Sequence, residues 1–75
     1  MLPVSKCLKS WKFGEEVISV VRLTDGTEWV KWVWFDGGMR FEENFRFETA
    51  AQEIEAYYKH ANSAALIREY QAQGN

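Results

Sequence analysis

Asp25-Gly26 separates two runs rich in β-branched and aromatic residues, Glu15 to Thr24 and Thr27 to Phe35. This arrangement predicts a β-hairpin, because both central residues of a two-residue type I′ turn need positive φ. Around such a loop Arg22 faces Trp29, Val21 faces Val30, Ser19 faces Trp32 and Val17 faces Trp34. Strand alternation then sorts the hairpin into two faces. The first carries Val17, Ser19, Val21, Leu23, Val30, Trp32 and Trp34; the second carries Ile18, Val20, Arg22, Trp29, Lys31, Val33 and Phe35. Both are apolar enough to need cover, and Trp29 is sent to the side opposite Trp32 and Trp34.

Met39 to Phe47 alternates with period two and predicts a further strand, with Met39, Phe41, Glu43, Phe45 and Phe47 on one parity. The charge at Glu43 suggests a bend or bulge at Glu43-Asn44. The link Asp36-Gly37-Gly38 suits a two-residue turn, which places the phenylalanines on the first face. Gly37-Gly38 would pair Trp34 with Phe41, and Asp36-Gly37 would pair Trp32 with Phe41. A three-residue loop is the alternative; it pairs Lys31 with Glu43 and moves the core to the second face. Residues 4–13 add one more strand before a turn at Gly14.

Thr49 followed by Gln52 reads as a capping box that opens a helix presenting Ala50, Ile54, Tyr57 or Tyr58, and Ala61 at helical spacing. Asn62-Ser63 reads as a stop and restart, with Ser63 capping a second helix that contributes Leu66, Ile67 and Tyr70; one bent helix is the other reading. Gln71 to Asn75 is polar and expected to fray. The expected fold class is α+β, an antiparallel meander of three to four strands packed on one or two C-terminal helices. The helices are expected to cover the first face, within one small domain spanning residues 1–75.

A chain of 75 residues is near the lower size at which one core folds unaided. With 47% hydrophobic and 16% aromatic residues it is far from the composition of disordered chains. Cys7 is the single cysteine, so no internal disulfide forms, and a small apolar filler is the role expected of it. One Cys and one His exclude a common four-ligand zinc site within one chain. Glu42 and Glu43, as strand neighbours, point to opposite faces and do not make an acid/base pair. His60 is expected near a helix C-terminus, where a cation complements the macrodipole. Gly37-Gly38 lacks the spacing of a phosphate-binding loop. No catalytic residue, metal or cofactor is expected. The start shows neither a basic n-region with an apolar stretch behind it nor a span of roughly 18 apolar residues, so a cytoplasmic protein without a membrane segment is expected.

The candidate site is the second face. There Trp29, Val33 and Phe35 lie among Arg22, Lys31, Arg40 and Arg46, with Arg22 opposite Trp29 and Arg40 opposite or diagonal to Phe35 for cation–π stacking. Apolar patches of this kind mark partner sites on soluble domains, and tryptophan and arginine are enriched at interface hot spots. A non-enzymatic protein-recognition module is therefore the leading expectation. Small acidic domains of this size are also the style of phage-encoded inhibitors of host proteins. Aromatics interleaved with cations equally suit DNA or RNA, and a homodimer would hide the same patch. The net charge of -2 is uneven: residues 1–40 carry six basic and five acidic side chains, residues 41–75 three and six. That balance disfavours attraction of the whole domain to nucleic acid but leaves a local basic face open.

Trp29-Val30-Lys31 in a middle strand, then Arg40, then Phe47-Glu48-Thr49-Ala50 leading into Ala56-Tyr57 and Ala61, resembles the strands-then-helix pattern of AP2-type and integrase arm-type DNA-binding domains. The resemblance covers about half of the chain, residues 29–61. It implies that a helix backs the sheet while Arg22, Trp29, Lys31 and Arg40 contact DNA. The acidic net charge and Glu42-Glu43 depart from that pattern.

Overall fold

A computed structural model describes residues 2–73. Its order is β1 (Val4–Phe13), β2 (Glu16–Leu23), β3 (Glu28–Asp36), β4 (Met39–Arg46), α1 (Ala50–Tyr58) and α2 (Ala61–Gln73). The strands form one antiparallel sheet in the order β1-β2-β3-β4, and both helices follow it, so the α+β meander expected from the sequence is the fold.

The first hairpin differs from expectation by one residue. Ile18 pairs with Trp32, Val20 with Val30 and Val21 with Trp29, around a three-residue loop of Thr24, Asp25 and Gly26. The Gly26 amide donates to Leu23 O at 3.0 Å, and Leu23 and Thr27 close the loop at 2.9 Å. Gly26 has φ 86°, the left-handed conformation that turns a type I turn into a three-residue hairpin loop. Asp25 locks it, its Oδ1 accepting from the Thr27 amide at 3.0 Å and from the Thr27 hydroxyl at 2.6 Å. Thr27 is thus drawn into the loop's closure, and a two-residue turn is passed over. Because side chains alternate, the added residue exchanges the faces of β2. Ile18 and Val20, and not Val17, Val21 and Leu23, join Val30 and Trp32 beneath the helices.

The second hairpin follows the Gly37-Gly38 turn. Both glycines have positive φ, 60° and 81°, as type I′ requires, and Trp34 pairs with Phe41. The three-residue alternative is excluded, since Lys31 lies opposite Asn44. The β3–β4 register runs without a shift, so Glu43-Asn44 forms no bulge. Glu43 is accommodated because β4 is an edge strand, where its carboxylate lies near Tyr58. At the other edge, β1 carries two register shifts, after Val4 and after Cys7, together with Lys6, Lys9 and Lys12. Bulges and lysines on an edge discourage pairing with another chain.

The core comprises Ile18, Val20, Val30, Trp32 and Phe45 from the sheet and Ala50, Ala51, Ile54, Ala64 and Ile67 from the helices. Alanines let the helix backbones approach closely, while Ile54 and Ile67 supply bulk. Leu66 and Tyr70 pack against this cluster, Tyr70 meeting Trp11 and Phe47 edge-on at centroid distances of 6.0 Å each. Thr49 precedes α1 but makes no side-chain cap; its hydroxyl donates to Glu53 at 3.2 Å, so the expected capping box with Gln52 does not form. The helix break falls at Lys59-His60, with Lys59 in the left-handed conformation (φ 57°), and not at Asn62-Ser63. Residues 71–73 are helical, Gln71 donating to Phe47 O at 2.8 Å, and do not fray; Gly74 and Asn75 lie outside the described residues.

Two substitutions test this account by urea denaturation. Ile54→Ala, at a fully buried site, should destabilise by about 2–5 kcal/mol. Gly26→Ala should cost about 1–2 kcal/mol, because a side chain is forced into the left-handed region, and Gly26→Asn clearly less. An alanine that is neutral there would contradict the turn assignment.

Candidate functional site

The sheet face turned away from the helices gathers most of the expected site. Trp29, Lys31, Val33 and Phe35 of β3 lie opposite Arg46, Asn44, Glu42 and Arg40 of β4. Val17, Ser19 and Val21 of β2 continue this face, with Cys7, Ser10 and Lys12 of β1 beside them. Cys7 is exposed there, its thiol near Lys9 O at 3.7 Å, and fills no core position as expected of it. Arg22 is the one expected site residue that is absent from this face. The one-residue shift places it opposite Glu28, whose carboxylate it meets at 2.8 Å, and Val21 takes the place opposite Trp29.

Two zones differ within the face. Around Trp29 the surface is closed: the Arg46 guanidinium lies 5.3 Å from its ring centroid, and the indole N–H donates to the Thr27 hydroxyl at 2.9 Å. Nearer the Gly37-Gly38 turn it is open, with Phe35 43% exposed beside half-buried Val33. Glu42 holds the cations between the zones, 2.7 Å from Arg40 and 4.0 Å from Lys31. Its carboxyl titrates below the usual glutamate value, chiefly through the Arg40 hydrogen bond, with Asn44 and Lys31 acting in the same sense and partial desolvation opposing. Counting Lys12, Lys31, Arg40 and Arg46 against Glu42 and against Glu48, which lies 3.8 Å from Arg46, this face carries +2 while the whole chain carries -2.

The other face holds apolar surface that the expected site omitted. Strands rise about 3.3 Å per residue and helices about 1.5 Å. Nine-residue β3 is therefore about twice as long as nine-residue α1, and the helices leave the end of the sheet at the β1–β2 and β3–β4 turns uncovered. Phe13 (51% exposed), Met39 (64%) and Phe41 (38%) lie at that end on the helix side. Trp34 stacks on Phe41, with centroids 5.4 Å apart and planes 15° apart. A sequence signal for this was available, since in a meander Gly14 and Gly37-Gly38 must turn at the same end.

Where the helices stop, a polar clasp ties α2 to the sheet. Glu16 Oε2 accepts the Trp32 indole N–H at 2.6 Å and the Ser63 hydroxyl at 3.5 Å. His60 Nδ1 hydrogen-bonds Ser63 Oγ at 2.9 Å and lies 3.8 Å from the same Glu16 oxygen. A nucleophile relay needs the imidazole to bridge serine and carboxylate through its two different nitrogens. Here both partners sit at Nδ1 and Ser63 is buried, so the cluster is built as a brace. Ser63 serves as its centre and not as the expected helix cap, and His60 belongs as much to the start of α2 as to the end of α1. Among the described residues no three His, Cys, Asp or Glu side chains converge as metal ligands would, and no helix is long and apolar enough to cross a membrane.

Comparison with known proteins finds no matching family model, no matching curated relative and no matching solved structure.

The Glu42 network has a pH consequence. Because its folded-state pKa is depressed, its contribution to stability is complete above the ordinary glutamate value and is lost as pH falls through the lower folded value. The pair is partly solvated, so the loss should stay below about 1 kcal/mol. Urea midpoints compared between pH 6 and acid should show a smaller decline for Glu42→Gln than for wild type; equal declines would show that Glu42 is not coupled to folding.

Proposed function

We propose that this chain is a non-enzymatic recognition module that binds a protein partner through the open sheet face, in the manner of small inhibitors that block a larger host protein. The observation that carries the reading is Phe35, a large apolar side chain left 43% exposed beside Val33 and within a frame of Lys31 and Arg40. Interfaces concentrate affinity in a few aromatic and arginine anchors surrounded by a polar rim, and this end of the face has that composition. Trp29 and Arg46, already stacked on one another, are preorganised and lose little side-chain entropy when covered.

Binding of DNA or RNA by the same face is favoured by a separate observation, its charge of +2 on a chain of -2. The arrangement of a helix-backed sheet with Trp29, Lys31 and Arg40 outward agrees with the AP2-type and integrase arm-type resemblance. Arg22, on the opposite face, does not. The pairing of Glu42 with both Arg40 and Lys31 weakens attraction to phosphate, which is why protein recognition leads. Self-association through the same patch is a third outcome that sedimentation would reveal.

Phe35→Ala and Arg40→Ala should each weaken partner binding by about 2 kcal/mol, the scale of an interface hot spot, while leaving the urea midpoint nearly unchanged. Affinity purification with mass spectrometry, comparing wild type with each variant, identifies the partner whose recovery depends on both residues. A nucleic-acid ligand would instead show affinity falling by orders of magnitude as salt rises from 50 to 200 mM. Unchanged recovery of every bound species in both variants would reject the open face as the site.

A further inference from the structure

The uncovered end of the sheet forms, on its helix side, a half-open cavity of about 470 Å³ lined by Phe13, Glu15, Glu16, Trp32, Trp34, Phe35, Tyr58 and His60. Its size falls within the range of ligand-binding clefts. We propose that this cavity receives the cationic head of a basic side chain, an arginine in the first instance, presented by a partner polypeptide. The site is distinct from the open face and does not rest on the reading given to that face; Phe35, at the margin of the sheet, borders both.

Three features select a cation. The walls carry accessible aromatic surface from Phe13, Trp34, Phe35 and Tyr58, while Trp32 is buried beneath them, packed against Trp34 (centroids 4.4 Å apart) and edge-on to Tyr58 (5.2 Å). A cation is attracted to the negative faces of such rings. Two carboxylates, Glu15 and Glu16, join the lining, and neither lysine nor arginine does, so the cavity has a charge opposite to its proposed occupant. Glu16 is also held in place by the Trp32 indole and by Ser63, which orients one carboxylate oxygen toward the protein before a ligand arrives.

The rim selects a side chain within a polypeptide over a free ion. Phe13, Met39 and Phe41 stand exposed at this end of the sheet, a greasy border that neighbouring residues of a peptide can cover and a small hydrated ion cannot. Arginine is favoured over lysine because a planar guanidinium stacks on an exposed aromatic ring while donating to a carboxylate.

The test follows indole N–H resonances of the full-length protein by two-dimensional NMR. The probes are acetyl-Gly-Arg-Gly-amide, its neutral citrulline counterpart, and tetramethylammonium chloride. The arginine peptide should shift the Trp32 and Trp34 indoles saturably and leave Trp29 in place, with the citrulline peptide weaker by about tenfold, equivalent to about 1.4 kcal/mol. Glu16→Gln retains an acceptor for the Trp32 indole and removes the charge, so it should weaken arginine binding about tenfold. Glu15→Gln, at an exposed turn, and Trp34→Leu should each weaken it several-fold, and they decide the matter if Glu16→Gln does not fold. Equal binding of arginine and citrulline peptides, shifts centred on Trp29, or no saturable shift would overturn the proposal. Tetramethylammonium binding more tightly than the arginine peptide would overturn the assignment to a side chain.

Discussion

The pairing register of β2 against β3 is the constraint on which the remaining structure depends. It is set by a few atoms: the Asp25 carboxylate that gathers the Thr27 amide and hydroxyl, and Gly26 in a left-handed conformation. A two-residue loop would have turned Val17, Val21 and Leu23 toward the helices. The three-residue loop presents Ile18 and Val20 instead, and these fully buried side chains meet Ile54 and Ile67 across the core. The same shift brings Arg22 to Glu28 and leaves Trp29 to be stacked by Arg46 from β4. Val21 and Leu23, although they lie on the face without helices, are buried between neighbouring strands, so the displaced apolar residues still leave water.

A second constraint is length. Two short helices cannot roof a sheet whose strands advance about twice as far per residue. The overhang is lined by rings because Trp32, Trp34 and Phe41 share one face, and Tyr58, the last residue of α1, meets Trp32, Trp34 and the core residue Phe45 edge-on. Burial and the neighbouring Glu43 carboxylate raise the Tyr58 pKa above its ordinary value. The break at Lys59-His60 follows immediately, and the clasp of Glu16, His60 and Ser63 fastens α2 beside the same rings. The sheet end thus combines an apolar rim with fixed carboxylates, while the opposite face is basic.

That separation of charge allows a small acidic chain to present two chemically different surfaces. Lys12, Lys31, Arg40 and Arg46 outnumber Glu42 and Glu48 on the open face, whereas Glu15 and Glu16 line the cavity on the other side. Net charge averages over both and describes neither. Phe35 lies where the two surfaces meet, exposed at the margin of the sheet.

Much of the architecture was legible from residue order. Period-two alternation marks the strands, paired glycines mark the second hairpin, and the spacing of Ala50, Ile54, Leu66 and Ile67 marks the helical stripes, because each is a local property of the backbone. The opposition of Trp29 to Trp32 and Trp34, and the grouping of Lys31, Val33, Phe35, Arg40 and Arg46 on one face, follow from the same rule. The exchange of β2's faces was not legible, since two- and three-residue loops around Asp-Gly differ by hydrogen bonds that form only once Thr27 is positioned. Thr49 and Ser63 carry sequences suited to capping, yet tertiary contacts use Thr49 for Glu53 and Ser63 for the Glu16 brace. The cavity joins Phe13 and Glu16 to Tyr58 and His60, more than forty positions away along the chain. Sequence by itself determined which segments become strands and helices, through local periodicity and turn chemistry; only the tertiary structure decided which side chains meet, because one residue of register inverts a strand and helix length decides what stays uncovered.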